Sequence, residues 1–267
     1  GARHQGDQAG AQMQGGGHVR RGPLSLAGRW PVRAPRSRTL LDKPESSRHR
    51  DGTTRIHRAA MTHKLYFVRH GETDWNAEGR LQGQTDIPLN DKGRAQAAGI
   101  ARSIRAGHIS GVSVETLTGL PFVASPMSRA RETMEIVRDG LGFSAQGYAV
   151  DDRLKEIGFG RWEGSVWREI QERDPGGSQA RERDKWNYVP PGGESYEIVQ
   201  SRVAEWLSTL TGDACIVAHG GIARVLLVLL ADLPRKRAVS ADVWQGKLLR
   251  LGEGDHDWLP GPGHLDP

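Results

Sequence analysis

Lys64-Leu-Tyr-Phe-Val-Arg-His-Gly71 is the stretch on which the reading of the chain turns. It is a short, β-prone apolar run that stops at an arginine, a histidine and a glycine. An apolar run without polar alternation reads as a strand buried on both faces. The same design returns at Ala214-Cys-Ile-Val-Ala-His-Gly-Gly221. A third strand, Pro121 to Ala124, runs on through Ser125-Pro-Met-Ser-Arg129 and delivers an arginine from the first turn of a helix.

Between these strands the sequence carries helix signals. Asn90-Asp-Lys-Gly opens a helix that reaches Ala106, with Asn90 or Asp91 as its N-cap. Ser125 reads as an N-cap with Pro126 at the first helical position, and that helix continues through Arg138. A short helix is expected over 166–173. After the turn Pro190-Pro-Gly-Gly193, a long helix runs from Ser195 to about Leu210. Ile222 to Leu230 reads as a buried helix, Tyr148 to Val150 as a third strand, and Lys247 to Leu251 as a last one. Strands alternating with helices predict a three-layer α/β/α sandwich with a mostly parallel central sheet. Ligands of such sheets bind beyond the carboxyl ends of the strands.

The chain has 267 residues and a formal net charge of +5. That charge is unevenly placed. Residues 1–60 hold 12 Lys and Arg against 4 Asp and Glu, which leaves 25 basic and 28 acidic residues for the rest. The first segment is rich in Gly, Arg, Ser and Pro and has neither helical nor strand periodicity, so it reads as a disordered basic extension. Met61 stands just before the first patterned run, and a natural start at Met61 is expected. Residues 61–267 then form the folded domain, with 165–192 as a cap over the site. Because the basic charge sits outside that domain, no specific nucleic-acid partner is expected. The longest apolar run, Val225 to Ala231, is too short to span a bilayer, so no membrane partner is expected. Cys215 is the only cysteine, which excludes an intrachain disulfide and suits a cytoplasmic protein. It cannot serve as a cysteine-phosphatase nucleophile either, because the arginine required six positions later is Gly221.

If the strands are neighbours, Arg69, His70, Arg129 and His219 converge. A lone histidine after a strand is usually a loop residue bonded to a carbonyl; two, with two arginines, are harder to explain that way. Arginine offers a planar fork suited to phosphate oxygens. Two arginines and a protonated histidine would neutralise a phosphate dianion, and glycines beside both histidines let backbone N–H groups approach it. An imidazole among cations is pushed neutral and can act as a nucleophile. Such chemistry needs no metal, and no metal-ligand cluster or cofactor site is expected. A proton donor for the leaving oxygen is still required, and the loop Leu154-Lys-Glu-Ile-Gly-Phe-Gly-Arg-Trp-Glu-Gly164 offers both Glu156 and Glu163.

These motifs resemble the histidine phosphatase superfamily, in its phosphoglycerate mutase-like branch. The resemblance runs through Phe67-Val-Arg-His-Gly-Glu-Thr-Asp-Trp-Asn76, Arg80-Leu-Gln-Gly83, Ser125-Pro126 with Ser128-Arg-Ala-Arg131, Leu154 to Gly164, Pro191-Gly-Gly-Glu-Ser195 and Ala218-His-Gly-Gly221. It covers about residues 64–260. It implies His70 as the nucleophile that becomes phosphohistidine, Glu156 as the proton donor, and Arg69, Asn76, Arg129 and His219 as the phosphate pocket. Glu163 becomes a structural residue of the loop, while Glu72 and Thr73 support it. Gly220-Gly221 and Trp162-Glu163-Gly164 resemble the phosphatase members rather than the mutases. The implied function is a metal-independent phosphomonoesterase acting on a small phosphorylated metabolite, with a phosphoglycerate mutase-type phosphotransferase as the alternative. The assembly state is left open, a homodimer included.

Overall fold

A computed structural model of the protein describes residues 63–252 and 254–259. The expected basic extension, residues 1–60, and Met61 lie outside the described residues. Along the chain come β1 (Leu65–Arg69), α1 (Asp74–Ala77), α2 (Asp91–Arg105), α3 (Val114–Leu117), β2 (Phe122–Ala124), α4 (Ser128–Leu141) and β3 (Ala149–Val150). They are followed by α5 (Trp167–Arg173), α6 (Pro175–Arg183), α7 (Tyr196–Leu207), β4 (Ala214–Ala218), α8 (Gly220–Leu230), α9 (Arg235–Ala238), β5 (Leu248–Gly252) and β6 (Asp255–Leu259). The six strands form one sheet in the order β3-β2-β4-β1-β5-β6. β3, β2, β4 and β1 are parallel, and β5 and β6 close one edge antiparallel. This is the expected three-layer α/β sandwich.

Register places the chemistry. Arg69 lies opposite Ala218, and Ala124 opposite Val217. The pairing continues one residue past each strand: the His70 amide donates to Ala218 O at 2.9 Å and the Ser125 amide to Val217 O at 3.0 Å. The ends of β1, β2 and β4 are therefore in step, with a histidine following two of them.

Period-two alternation explains why both faces are covered. Tyr66, Val68, Phe122, Ala124, Cys215 and Val217 pack toward α2 and α4. Leu65, Phe67, Val123, Ala214 and Ile216 pack toward α7 and α8. Leu65, Phe67 and Ile216 are each 0% exposed, and each such side chain stabilises the fold by about 1.5–3 kcal/mol.

Three expected boundaries shift for physical reasons. α4 starts at Ser128, with Met127 rather than Ser125 in the N-cap position. Its terminal amide is capped from a distant loop instead: Asp86 Oδ1 accepts from the Ser128 N–H at 2.9 Å and from its hydroxyl at 2.8 Å. The helix runs past Arg138 to Leu141, where Gly142 adopts the left-handed conformation at φ 85° that ends many helices. α7 stops at Leu207, because the next residues tighten into single turns, Thr209 N–H to Trp206 O and Leu210 N–H to Leu207 O.

Five elements fall outside the expected set: the single turns α1, α3 and α9, the helix α6 and the strand β6. Asp174-Pro-Gly-Gly177 looks like a turn, yet Asp174 caps α6 by accepting from the Gly177 amide at 2.9 Å, with Pro175 in the first turn. β6 is an edge strand of Asp255-His-Asp-Trp-Leu259 in which only Leu259 is buried. Its charged face hides the strand signal. The expected cap segment 165–192 contains α5 and α6.

Candidate active site

His70 is 2% exposed. Its Nδ1 lies 2.7 Å from Gly71 O. A carbonyl only accepts, so Nδ1 carries the ring proton. In the neutral ring the lone pair is then on Nε2. Burial pushes the imidazole well below its ordinary pKa, and the charges of Arg69 and Arg129 push it further. The ring is neutral at physiological pH. Gly71 must be glycine because an added Cβ would run into the backbone of Gly93 at the start of α2. The Gly71 amide donates to Thr133 Oγ1 at 3.0 Å, and that hydroxyl donates to Arg129 O at 2.7 Å. The nucleophile loop and the arginine helix are thus fastened together.

His219 is the N-cap residue of α8 and is 0% exposed. Its Nε2 lies 2.7 Å from Ser125 Oγ. Ser125 Oγ also accepts from the Met127 amide at 3.4 Å, and we assign its hydroxyl proton to the bond with His219 Nε2, whose lone pair it then meets. The ring proton then belongs to Nδ1, which is buried without a hydrogen-bond partner among the described residues. The two rings are 5.1 Å apart at 59°. Burial pushes His219 well below its ordinary pKa, followed by Arg129 and His70. With both rings neutral, the positive charge of the site rests on the two arginines.

Arg129 is 0% exposed and anchored through both terminal nitrogens, Nη1 to Thr85 O at 2.9 Å and Nη2 to Gly83 O at 2.8 Å. Arg69 is anchored through Nη1 to Val243 O at 2.8 Å. Burial lowers the Arg69 pKa to about 10, with Glu156 opposing, so the guanidinium stays charged. In both arginines Nε is buried without a partner among the described residues. A buried donor left unmade costs about 1–3 kcal/mol. Arg69 Nε, Arg129 Nε and His219 Nδ1 bear that cost beside one neutral imidazole, an arrangement suited to a ligand rich in acceptor oxygens.

The two glutamates left open by composition are wired differently. Glu156 Oε1 accepts from the amides of Gly221 and Ile157, each at 2.9 Å, which sets the carboxyl on the N-terminus of α8 two residues from His219. A Cβ at Gly221 would collide with that carboxyl. The Glu156 carbonyl is held by Gln84 Nε2 at 3.1 Å and Arg202 Nη2 at 3.2 Å. Glu163 instead braces two loops. It accepts from the amides of Gln84, Phe159 and Thr85 at 3.0 Å each and from the Thr85 hydroxyl at 2.5 Å. Its acceptor sites are occupied, and it faces no histidine.

Asn76 lies in α1, where its Oδ1 accepts from the Thr73 amide at 3.2 Å and from Gln245 Nε2 at 3.0 Å. It hydrogen-bonds none of His70, Arg69 or Arg129; only its amide nitrogen remains to meet a ligand. Glu72 supports the loop by an ion pair with Lys92 at 2.8 Å, which holds its carboxyl below the usual range. Ser125 and Thr133 are the functional positions that sequence reasoning missed. Cys215 is buried, and burial pushes its thiol up to about 12, so it is inert.

The arrangement presents a neutral nitrogen nucleophile, cationic and N–H donors around it, and a carboxyl nearby: the parts of a metal-free phosphoryl transfer. Comparison with known proteins agrees. Residues 65–259 match the family described as the histidine phosphatase superfamily (branch 1). A glucosyl-3-phosphoglycerate phosphatase of Mycolicibacterium vanbaalenii is 30% identical over 213 residues, 75% of this chain and 84% of that protein. The crystal structure of a phosphoglycerate mutase from Thermus thermophilus is 36% identical, with a TM-score of 0.52 over 70% of this chain and 91% of the other. The alpha-ribazole phosphatase of Shigella flexneri shares the fold, with a TM-score of 0.60 at 23% identity over 74% of this chain and 95% of the other.

Proposed function

This chain belongs to the histidine phosphatase superfamily, and on that premise we propose that it hydrolyses small phosphomonoesters through a phosphohistidine on His70. The observation that carries this reading is the wiring of His70. Its Nδ1 is committed to Gly71 O at 2.7 Å, so a neutral Nε2 lone pair stands among the unpartnered donors of Arg69, Arg129 and His219.

In the first step Nε2 bonds to phosphorus and the P–O ester bond breaks. The Glu156 carboxyl gives its proton to the departing oxygen. Arg69, Arg129 and the Nδ1–H of His219 hold the equatorial oxygens as their charge redistributes. In the second step the Glu156 carboxylate takes a proton from water, and the resulting oxygen displaces His70 from phosphorus. Inorganic phosphate leaves and both side chains return to their starting states. We assign Asn76 Nδ2 as a further donor to the phosphoryl oxygens as substrate enters.

Gly220-Gly221 and the Trp162-Glu163-Gly164 loop favour water as acceptor, as does the likeness to a phosphatase at 30% identity. A mutase reading rests on the 36% identity to the Thermus enzyme; it would require a second hydroxyl, rather than water, to take the phosphoryl group. We place the protein in the cytoplasm. Among the described residues no helix is long and apolar enough to cross a membrane. The partner is a small phosphorylated metabolite rather than a nucleic acid.

The test is release of phosphate from 4-nitrophenyl phosphate in the presence of a chelator, with His70→Ala as control. Release that the variant lacks and chelation leaves intact supports the reading. Chelator-sensitive release, restored by a metal, would overturn the metal-free mechanism.

A further inference from the structure

Arg69 and Asn76 are both held by one segment of the chain that belongs to neither of their elements. Between α9 and β5 the chain runs Val243-Trp-Gln-Gly246 past the end of β1. Its side chains alternate. Val243 is buried, Trp244 is exposed, and Gln245 points back toward α1. The Val243 carbonyl accepts from Arg69 Nη1 at 2.8 Å. Gln245 bridges to Arg69 through the backbone in parallel register, and its side-chain Nε2 donates to Asn76 Oδ1 at 3.0 Å. Gly246 then adopts φ 70° and turns the chain into β5, where Leu248 pairs antiparallel with Val68. Gln245 thus stands between two residues of the phosphate pocket, tied to one by its backbone and to the other by its side chain.

The bond to Asn76 is not needed to build α1. That helix is a single turn of four residues that buries no side chain. Thr73 and Asn76 close it by themselves: the Asn76 amide donates to Thr73 Oγ1 and the Thr73 amide to Asn76 Oδ1, each at 3.2 Å. A turn this short does not fix its own place against the sheet. Gln245 supplies that fixing, and its side chain makes no other hydrogen bond among the described residues. The direction of the Asn76 amide follows from its partners. The Thr73 backbone N–H can only donate, so the oxygen faces Thr73 and Gln245, and Nδ2 faces away from both.

We propose that Gln245 is a positioning residue for phosphoryl transfer: by holding Asn76 Oδ1 it aims Asn76 Nδ2 at the phosphoryl oxygens, in step with Arg69. This rests on the phosphatase reading above and on Asn76 as a donor. Gln245 itself touches no reacting atom; it acts through Asn76.

A double-mutant cycle on the full-length protein tests this, with kcat/KM for 4-nitrophenyl phosphate as the readout. Gln245→Met keeps the length of the side chain and removes its donor. Gln245→Glu keeps the size and sets a second acceptor against Asn76 Oδ1. Asn76→Ala should lower kcat/KM by about 10–100-fold, the loss of one hydrogen bond to a charged group. Gln245→Met should lower it by about 3–10-fold, and Gln245→Glu at least as far. In the Asn76→Ala background neither Gln245 substitution should matter by more than about twofold, because the residue it acts through is gone. A merely structural residue would lose the same factor with or without Asn76. Thermal melting of each variant reports folding separately, and should Gln245→Met fail to fold, Gln245→Glu carries the cycle. The inference is overturned if the Gln245 variant changes kcat/KM by less than about twofold in the wild-type background. It is also overturned if more than half of that loss, on a logarithmic scale, persists in the Asn76→Ala background, or if Asn76→Ala is as active as the wild type. Absence of His70-dependent phosphate release by the unsubstituted protein is a different failure, that of the phosphatase reading, and shows before any Gln245 variant is made.

Discussion

His70 and His219 arise from the same sequence design and end in opposite chemical states. Each follows a buried parallel strand and precedes a glycine. After β1 the carbonyl of Gly71 accepts a hydrogen bond from His70 Nδ1–H at 2.7 Å. After β4 a helix begins at once, and Ser125 reaches His219 Nε2 at 2.7 Å from the neighbouring strand end. One ring is left with a lone pair at Nε2, the other with a donor at Nδ1. Strand position brings the rings together; in the proposed mechanism a single hydrogen bond to the opposite nitrogen suits one ring to act as nucleophile and the other as oxyanion donor.

Variants that separate the two roles give graded losses. Removing the lone pair is the most severe: His70→Ala should lower kcat by at least ~10³-fold, read by phosphate release from an aryl ester. Comparable loss in His219→Ala alone, with full activity left in His70→Ala, would exchange the roles. Glu156→Gln comes next. It should slow an alkyl phosphate by about 10²–10⁴-fold and 4-nitrophenyl phosphate much less, because only the poor leaving group needs the proton. Equal losses on both esters would remove Glu156 from that role. His219→Ala takes away one donor to the phosphoryl oxygens and should cost about 10²–10³-fold in kcat.

Ser125→Ala is milder and bears most directly on the wiring. It leaves a buried imidazole nitrogen unpaired, which costs about 1–3 kcal/mol in thermal or denaturant unfolding. It also frees the His219 tautomer, so kcat should fall while Ser125→Thr restores most of it. A variant that unfolds more easily but turns over at the wild-type rate would reduce Ser125 to a structural role.

The smallest effect is on stability against pH. Both imidazoles are held neutral in the fold, well below their ordinary value. As pH falls below about 6.5 the unfolded chain takes up protons that the folded chain refuses. Unfolding is then favoured, so the melting temperature should drop as pH is lowered through that range. Replacing both histidines with glutamine should flatten the slope. A melting temperature that rises on acidification, with the histidines in place, would contradict the assignment of neutral rings.

The sheet and the convergence of Arg69, His70, Arg129 and His219 are legible in the sequence because strand patterning and strand-end motifs are local signals. Local signals also mislead. Ser125-Pro126 has every mark of a helix start, but the serine hydroxyl is more valuable to His219, and Asp86, far off in sequence, caps the helix instead. Composition cannot choose between Glu156 and Glu163, since both are glutamates in one Gly-rich loop; what separates them are partners outside it, the Gly221 amide at the start of α8 for Glu156 and the Thr85 amide for Glu163. The family resemblance gives Asn76 a phosphate contact, and the structure shows it first closing a turn with Thr73.

The central claim is that His70 carries the phosphoryl group. Enzyme mixed with an aryl phosphate, quenched within one turnover under alkaline conditions that preserve phosphohistidine, and mapped by mass spectrometry tests it directly. The account predicts one phosphoryl group on the peptide that contains His70, absent from His70→Ala and accumulating when Glu156→Gln slows its hydrolysis. A phosphoryl group on another residue, or turnover that persists in His70→Ala, would contradict it.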